Sequence, residues 1–294
     1  MSILDAYTAP TQAFDAKAAG QALAGISVVR PSKLQGPLTF RVLPAHTSWP
    51  AQPVEGATGI WRTGPFIGHH KHIYDDPMTP GSYISFECPE RNGTGLPCPT
   101  CVEARPLRAS RDEVTRNYGF DLSASHQVLV NILVRSGSAD GMGDLAGQVL
   151  TLELSAPGGK PSGKTQYEKL LLAASHPTNG GDIVHPVEGY DVVLTKSGSG
   201  TRGTSYDFQL ATRAGPCRLA VEDEAVLALI TDQPNIPAIL SADVEAGKAK
   251  AAELSGGGVT IMAGRAPQAA LPRPRTAEDD SSFADTEVVD DIDY

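Results

Sequence analysis

The sequence predicts a mainly β protein with short helices. Its 294 residues include 30 glycines and 23 prolines, whereas aromatic residues make up only 6%. The apolar stretches are short and separated by turn-forming residues, a pattern typical of strands and turns rather than of a helical bundle. Three of the four cysteines lie close together. We therefore expect a β core that carries a small cysteine-containing insert.

The first elements follow from short apolar runs bounded by glycine and proline. The alanine-rich region 11–23 is compatible with a short helix. Residues 27–30 form the first predicted strand, and residues 38–43 form the second, which a Gly-Pro pair introduces and a further proline ends. An extended aromatic stretch over 59–74 then leads into the cysteines.

The region after the cysteines predicts a helix and two long strands. Residues 102–117 are basic and partly helical, with Pro106 limiting the first turn. The continuous apolar run 127–134 predicts a buried strand, because no polar face is available for solvent. Residues 147–154 instead alternate between larger apolar and smaller or polar side chains, as a half-buried strand does.

A helix over 166–174 and a hairpin complete the predicted core. The hairpin strands, 190–196 and 204–213, flank a glycine-rich tip. Five or six strands, few helices and a metal-binding insert in one connection predict an OB-type barrel.

The predicted domain organisation has four parts. Residues 1–25 form an N-terminal arm, and residues 26–240 form the OB-type core, with a zinc subdomain inserted over 60–117. A linker is predicted over 241–276, because a proline-rich basic hinge lies at its end. The acidic tail follows over 277–294.

Cys88, Cys98 and Cys101 form a C-x9-C-x2-C pattern that predicts a metal site. Prolines and glycines turn the backbone between them, so three thiolates can occupy three corners of a tetrahedron and leave one for imidazole. Cys217 lies far downstream, which disfavours a paired disulfide framework. We expect one structural Zn²⁺ ion, since four protein ligands would leave no open position for catalysis.

Three histidines upstream, His69, His70 and His72, are candidates for the fourth ligand. On an extended strand, His70 and His72 point to one face and His69 points to the other. His70 and His72 therefore compete, and His72 is preferred because it is nearest the turn at 75–77. The predicted metal ligands are His72, Cys88, Cys98 and Cys101.

The predicted setting is a reducing cytoplasm. The N-terminus lacks the basic start and apolar core of a signal peptide, and no apolar run approaches the length of a membrane span. In a reducing compartment, clustered cysteines more often hold metal than pair with each other. No membrane partner is expected.

Residues 277–294 form an acidic tail. They contain eight of the 34 carboxylates and neither lysine nor arginine, so most of the net charge of −10 lies there. Such a segment cannot bury enough apolar surface to offset its ordering entropy, and we expect it to be disordered. It is interpreted either as a solubility tail or as a partner-binding segment. The predicted partner-binding residues are Asp285, Asp290, Asp291, Ile292, Asp293 and Tyr294.

The cysteine pattern is one of several motifs that occur in a fixed order. The others are Gly36–Pro44, Asn131–Val134, Pro186–Leu194 and the hairpin strand at Tyr206. In this order they resemble the zinc-containing single-stranded DNA-binding proteins of T-even-type bacteriophages. The resemblance covers roughly 36–216 and the acidic tail, and its most specific part is Cys98-Pro-Thr-Cys101, which matches a Cys-Pro-x-Cys of the family.

The resemblance implies an OB-fold core whose zinc subdomain clamps a cationic cleft for single-stranded DNA. It implies a protein without catalytic activity that coats and protects single strands during phage DNA replication, recombination and repair, in the cytoplasm of the infected bacterial host. The acidic tail would recruit replication and recombination proteins, and self-association on DNA is left open. Two features depart from the family: more residues separate His72 from Cys88, and the N-terminus lacks a basic segment for cooperative binding.

Binding of single strands requires cations along the phosphates and flat aromatic faces for the bases. Four arginines follow the cysteines at helix-compatible spacing. The candidate tyrosines lie beside polar or glycine-rich segments, which favours exposure, whereas Phe120 and Phe208 are predicted to pack in the core. The predicted cationic contacts are Arg62, Lys71, Arg105, Arg108, Arg111, Arg116, Lys160, Lys164, Lys169, Lys196, Arg202 and Arg213. The predicted aromatic contacts are Tyr74, Tyr118, Tyr167 and Tyr206.

Two other functions are alternatives. Gly158–Thr165 nearly meets the G-x4-G-K-[ST] register of a phosphate loop, which would indicate a nucleotide hydrolase. That reading is disfavoured because the preceding strand alternates and the following helix has only about two turns, whereas a phosphate loop joins a buried strand to a long helix. A zinc-ribbon adaptor that binds only protein would retain the acidic tail but would not need the arginines.

Overall fold

The computed structural model describes most of the chain between residues 27 and 256. The described residues are 27–46, 48–50, 53, 56, 58–75, 83–158, 163–175, 182–185, 189–198, 203–211, 228 and 231–256. The predicted helix over 11–23, Cys217 and the acidic tail lie outside them.

The described residues form one nine-stranded sheet, a small two-stranded ribbon and four α-helices. The strands of the sheet are β1 Val28–Val29, β2 Leu38–Val42, β3 Trp61–Thr63, β4 Phe66–Asp75, β5 Tyr83–Glu87, β6 Ser125–Ser136, β9 Val149–Ser155, β10 Val192–Ser197 and β11 Ser205–Leu210. The ribbon pairs β7 Ser138–Ala139 with β8 Gly143–Asp144. The helices are α1 Pro99–Arg108, α2 Glu113–Asp121, α3 Gln166–Ala174 and α4 Ile236–Gly256, and a 3-10 turn spans Pro31–Lys33.

The prediction of a mainly β fold with short helices is confirmed. The main path of the sheet runs β1-β9-β6-β2-β10-β11. β1 is parallel to β9, and the other pairs on this path are antiparallel. Pairing among the described strands leaves β1 and β11 as edges, so this part of the chain shows no closed sheet.

β6 organises the sheet because it pairs along both of its edges. One edge pairs with β9 from Gln127 to Leu133. The other edge is divided between two partners, with β4 beside its first half and β2 beside its second half. Residues 128–134 are all buried. The long apolar run in the sequence therefore marks a strand that is covered on both faces.

The sheet has an apolar cluster on each face. On one face Leu152 packs in the same cluster as Leu170 of α3. On the other face Leu129 packs with Leu240 of α4. Each buried aliphatic side chain contributes roughly 1.5–3 kcal/mol to folding, so α3 and α4 are both integral to the fold.

Part of the predicted linker is helical and belongs to α4. The sequence predicts a linker over 241–276, but its residues up to Gly256 continue α4. Val244 is fully buried, and Gly247 lies directly against β5, because a Cβ atom at that position would stand 2.2 Å from the Glu87 carbonyl oxygen. The linker assignment is wrong for 241–256, since composition alone does not reveal that an alanine-rich helix is docked on a sheet.

The insert between β2 and β6 shares the main sheet. The stretch predicted as extended over 59–74 is a hairpin of β3 and β4 that turns at Gly64, where φ is 57°. β4 then pairs with β6, which joins the insert to the core. The partial helix predicted over 102–117 is two helices, α1 and α2, and Pro106 lies inside α1 rather than in a first turn.

Gly247→Ala should lower the free energy of unfolding by about 1–3 kcal/mol, because the added methyl group meets the backbone of β5. Helix propensity alone would favour alanine by about 1 kcal/mol, so the sign of the change tests the contact. Urea denaturation followed by circular dichroism measures it. Ala249→Gly, at an exposed position of α4, is the matched control and should cost about 1 kcal/mol. A more stable Gly247→Ala variant would contradict the close approach.

Candidate metal centre

Four buried side chains converge where β4, the end of β5 and α1 meet. They are His72, Cys88, Cys98 and Cys101, and their ligand atoms all lie within 4.8 Å of one another. The Sγ atoms of Cys88 and Cys101 are 3.5 Å apart. His72 Nε2 lies 3.3 Å from Cys98 Sγ and 3.6 Å from Cys101 Sγ. The three cysteines are free thiols, and the cluster is able to hold one metal ion.

Secondary structure fixes each ligand. His72 lies on β4 opposite Phe86 of β5, and the two rings stack with centroids 4.9 Å apart. Cys88 directly follows β5, and its N–H continues the pairing with β4 at 2.9 Å. Cys98 is the N-cap residue of α1, and Cys101 lies in the first turn of that helix. The partial positive charge at a helix N-terminus favours thiolates there.

A tight turn after Cys88 brings backbone donors to its sulfur. The Arg91 N–H donates to Cys88 Sγ at 3.4 Å, and the Asn92 N–H donates to the Cys88 carbonyl at 3.0 Å. Gly93 adopts a φ of 78°, and a Cβ atom there would stand 2.4 Å from the Gly59 nitrogen. Only glycine therefore suits this position. Donation from the backbone stabilises negative charge on the sulfur.

Asn92 holds this turn to β4, a role that the sequence analysis missed. Its side chain is fully buried, its Oδ1 accepts from the His70 N–H at 2.7 Å, and its Nδ2 donates to the His70 carbonyl at 3.0 Å. Nδ2 also donates to Glu87 Oε2 at 3.1 Å. The Asn-Gly dipeptide signals a turn, but these contacts depend on strands that are distant in sequence.

A backbone carbonyl sets the tautomer of His72. His72 Nδ1 lies 2.8 Å from the carbonyl oxygen of Leu122, which directly follows α2. A carbonyl oxygen only accepts, so Nδ1 carries the proton and donates, and Nε2 faces the sulfurs. A contact of this kind orients a ligating imidazole and raises its basicity.

Hydrogen bonds within the cluster shift its pKa values. Burial lowers the pKa of His72, but hydrogen bonds to Cys101 and Cys98 outweigh it and raise that pKa to about 9. Hydrogen bonds to Cys101 and Cys88 lower the pKa of Cys98 far below its ordinary value. Hydrogen bonds to Cys101 and Cys98 raise the pKa of Cys88. The thiolate therefore forms more readily at Cys98 than at Cys88, and a bound metal ion must displace the protons that remain.

The neighbouring histidines have other contacts. His69 is buried, and its Nδ1 lies 2.8 Å from Glu87 Oε2. His70 stacks on His126 with ring centroids 4.6 Å apart, and burial is the main cause that lowers the pKa of His70 to about 4. The cluster thus contains His72, which is one of the two alternatives that strand alternation leaves open.

Several cations predicted to contact DNA are bound to backbone carbonyls. Lys169 Nζ donates to the Tyr206 carbonyl at 2.9 Å, and Lys196 Nζ donates to the Ser32 carbonyl at 2.7 Å. Arg62 donates to two carbonyls of the segment before β3, at 3.2 and 2.6 Å. These contacts join distant segments, which indicates a structural role for the three side chains.

The arginine series lies on α1, on α2 and between them. Arg105 forms an ion pair with Glu90. Arg108 and Arg111 are exposed, and Arg116 is half-buried. The structure thus places these four arginines on two neighbouring helices and their connection, beside the cysteine cluster. The other described cations with a predicted DNA contact lie on β3, β4 and β10 and in or just before α3.

The predicted exposure of two tyrosines is wrong. Tyr74 is only 5% exposed because it follows His72 on the same inward-facing side of β4. Tyr167 is 9% exposed and belongs to the main apolar cluster. Tyr118 and Tyr206 are half-buried. Phe120, which was expected in the core, is 51% exposed.

The remaining predicted contacts are divided between described and undescribed residues. Lys71 lies half-buried on β4, and Lys164 is exposed before α3. The residues outside the described ranges are Lys160, Arg202, Arg213, Asp285, Asp290, Asp291, Ile292, Asp293 and Tyr294.

A scan of the chain against protein-family models and a search of curated proteins each found no match. None of the helices in the described ranges has the length and apolar character that a membrane crossing requires.

His72→Asn should weaken metal binding so that the ion is lost on dialysis against a chelator, because one of four ligands is removed. His70→Asn, two residues away on the same strand, is the matched control and should retain the ion. Elemental analysis after dialysis gives the stoichiometry, which should be close to one ion per chain in the parent protein. A full complement of metal in His72→Asn would contradict the assignment.

Proposed function

We propose that the protein binds single-stranded DNA without catalysing a reaction and that a structural zinc ion holds the binding surface in place. The observation that carries the proposal is the arginine series on α1 and α2, two helices that join the buried cluster of cysteine and histidine ligands. Cations on a rigid support can follow the phosphates of a strand without recognising its sequence.

The spacing of the ligand atoms supports zinc. With Zn–S bonds of about 2.3 Å and Zn–N bonds of about 2.0–2.1 Å, the edges of a tetrahedral site measure roughly 3.5–3.8 Å. Three distances in the cluster, 3.3, 3.5 and 3.6 Å, are close to these edges. Three cysteines and one histidine make a closed set that suits a structural ion. The bound ion would neutralise the thiolates and join α1 to β4.

The strand plan supports an OB-type barrel. β2, β6, β9, β10 and β11 are neighbours in the order β9-β6-β2-β10-β11, and α3 lies between β9 and β10 along the chain. The OB-fold is a five-stranded, partly open Greek-key barrel that binds oligonucleotides. Along the chain, the insert occupies the connection between β2 and β6, the first two of these five strands. OB-folds use the loop at that position for binding.

The cellular role under this proposal follows from the sequence. The resemblance to phage proteins supports coating and protection of single strands during phage DNA replication, recombination and repair in the infected host. The charge and spaced apolar residues of 277–294 support recruitment of replication and recombination proteins through the tail.

The phosphate-loop alternative has less support. The Thr165 hydroxyl accepts from the Glu168 N–H at 3.4 Å, and Glu168 Oε2 accepts from the Thr165 N–H at 3.0 Å, which forms a capping box at the start of α3. The same hydroxyl also donates to Glu168 Oε2 at 2.7 Å. In a phosphate loop that hydroxyl would instead bind magnesium. The preceding strand β9 also pairs antiparallel with β6 along most of its length.

The protein should bind a fluorescent oligo(dT) strand more tightly than a duplex of the same length, and its affinity should fall as salt rises because binding releases counterions. Arg111→Ala should reduce the slope of log K against log salt by about 0.7, the value for one phosphate contact on a single strand. Fluorescence anisotropy at several salt concentrations measures both effects. Lys250→Ala on α4, where the lysine pairs with Glu253, is the matched control and should leave the slope unchanged.

Equal affinity for strand and duplex would contradict the proposal. Absence of DNA binding together with capture of a protein partner would favour the adaptor. ATP hydrolysis by the purified protein would favour the phosphate loop.

A further inference from the structure

Phe120 is a large apolar side chain that the fold leaves in solvent. The residue lies near the end of α2 and is 51% exposed, and the guanidinium of Arg108 on α1 lies over its ring, 5.0 Å from the centroid. We propose that Phe120 and Arg108 form a stacking platform for one unpaired nucleobase. This proposal rests on the proposed function. The platform would contact a base, whereas the other arginines of the series would contact phosphates.

Close packing of two helices builds the platform. Gly119 is buried between α1 and α2, and a Cβ atom there would stand 2.6 Å from the Arg108 nitrogen and 2.7 Å from Leu107 Cβ. Glycine is therefore required for this approach. Phe120 is the next residue, so the same contact brings its ring beside the end of α1. Backbone packing thus places Arg108 and Phe120 side by side.

Two further arginines lie near the platform. Arg116 precedes Phe120 by four residues on α2, so the two side chains share a helix face. Arg111 is exposed in the connection between the helices. Among the described residues, neither Arg108 nor Arg111 forms an ion pair with a carboxylate. Arg108 is therefore available to the base, and Arg111 to a phosphate beside it.

The chemistry of the platform matches an unpaired nucleobase. A phenyl ring and a guanidinium plane both offer flat surfaces to a base, through aromatic stacking and cation–π attraction. Stacking tolerates any base, because every base has a π-face. A duplex keeps its bases stacked on one another, so the platform would act only on single strands.

Phe120→Ala should weaken binding of oligo(dT) by about 5- to 30-fold, within the range for loss of one stacked base. The salt slope should stay unchanged, because no cation is removed. Val114→Ala is the matched control, since Val114 is another exposed apolar residue of α2, at 61%. It should bind as the parent does, and Phe120→Trp should bind at least as tightly as the parent.

A second experiment, with an abasic oligonucleotide, distinguishes base stacking from other contacts. On an abasic strand of equal length, the parent and Phe120→Ala should bind equally, because only the base is missing. Unchanged metal content and circular dichroism would show that the variant folds.

If the parent binds oligo(dT) and Phe120→Ala binds equally well, the platform is overturned and the proposed function stands. If the parent does not bind single strands, both are overturned. A loss in Phe120→Ala that persists on the abasic strand would also overturn the platform and would favour a contact between neighbouring protein copies.

Discussion

Three sulfurs and one imidazole buried within 4.8 Å of one another are the constraint on which the insert depends. Apolar packing around them is limited, since the surrounding cluster is far smaller than the core of the sheet. Thiolates this close repel one another unless a cation or protons neutralise them. α1 contributes Cys98 and Cys101, and Leu122 after α2 accepts from His72. The positions of both helices, and of the arginines they carry, therefore rely on these four residues.

Glu87 connects this cluster to the opposite face of the sheet. Its carboxylate lies 2.8 Å from His69 Nδ1 and accepts from Asn92, which belongs to the turn after Cys88. Its carbonyl oxygen lies against Gly247 of α4. One residue at the end of β5 thus contacts both the C-terminal helix and the segment that shapes the metal ligands.

Sequence patterns predicted the features that depend on neighbours along the chain. α3 has the bounds that were predicted, because its capping box and flanking turn residues are local. The cysteine spacing likewise predicted the cluster. Tyr74 was misjudged because its polar neighbours were given more weight than the alternation that places it with His72. α4 was missed because its stability comes from a strand far away in sequence, and Phe120 because exposure depends on how two helices pack.

The compact spacing of the metal ligands has a consequence for biosynthesis. All four lie within 72–101, whereas α4 closes the fold only at 236–256. Contacts between nearby residues form before distant ones, and chains begin to fold from the N-terminal side during translation. All four side chains of the cluster are therefore synthesised before the later strands and α4, while the site is still open to a metal ion. In the folded protein, a metal ion would have to reach ligand residues that are only 0–6% exposed.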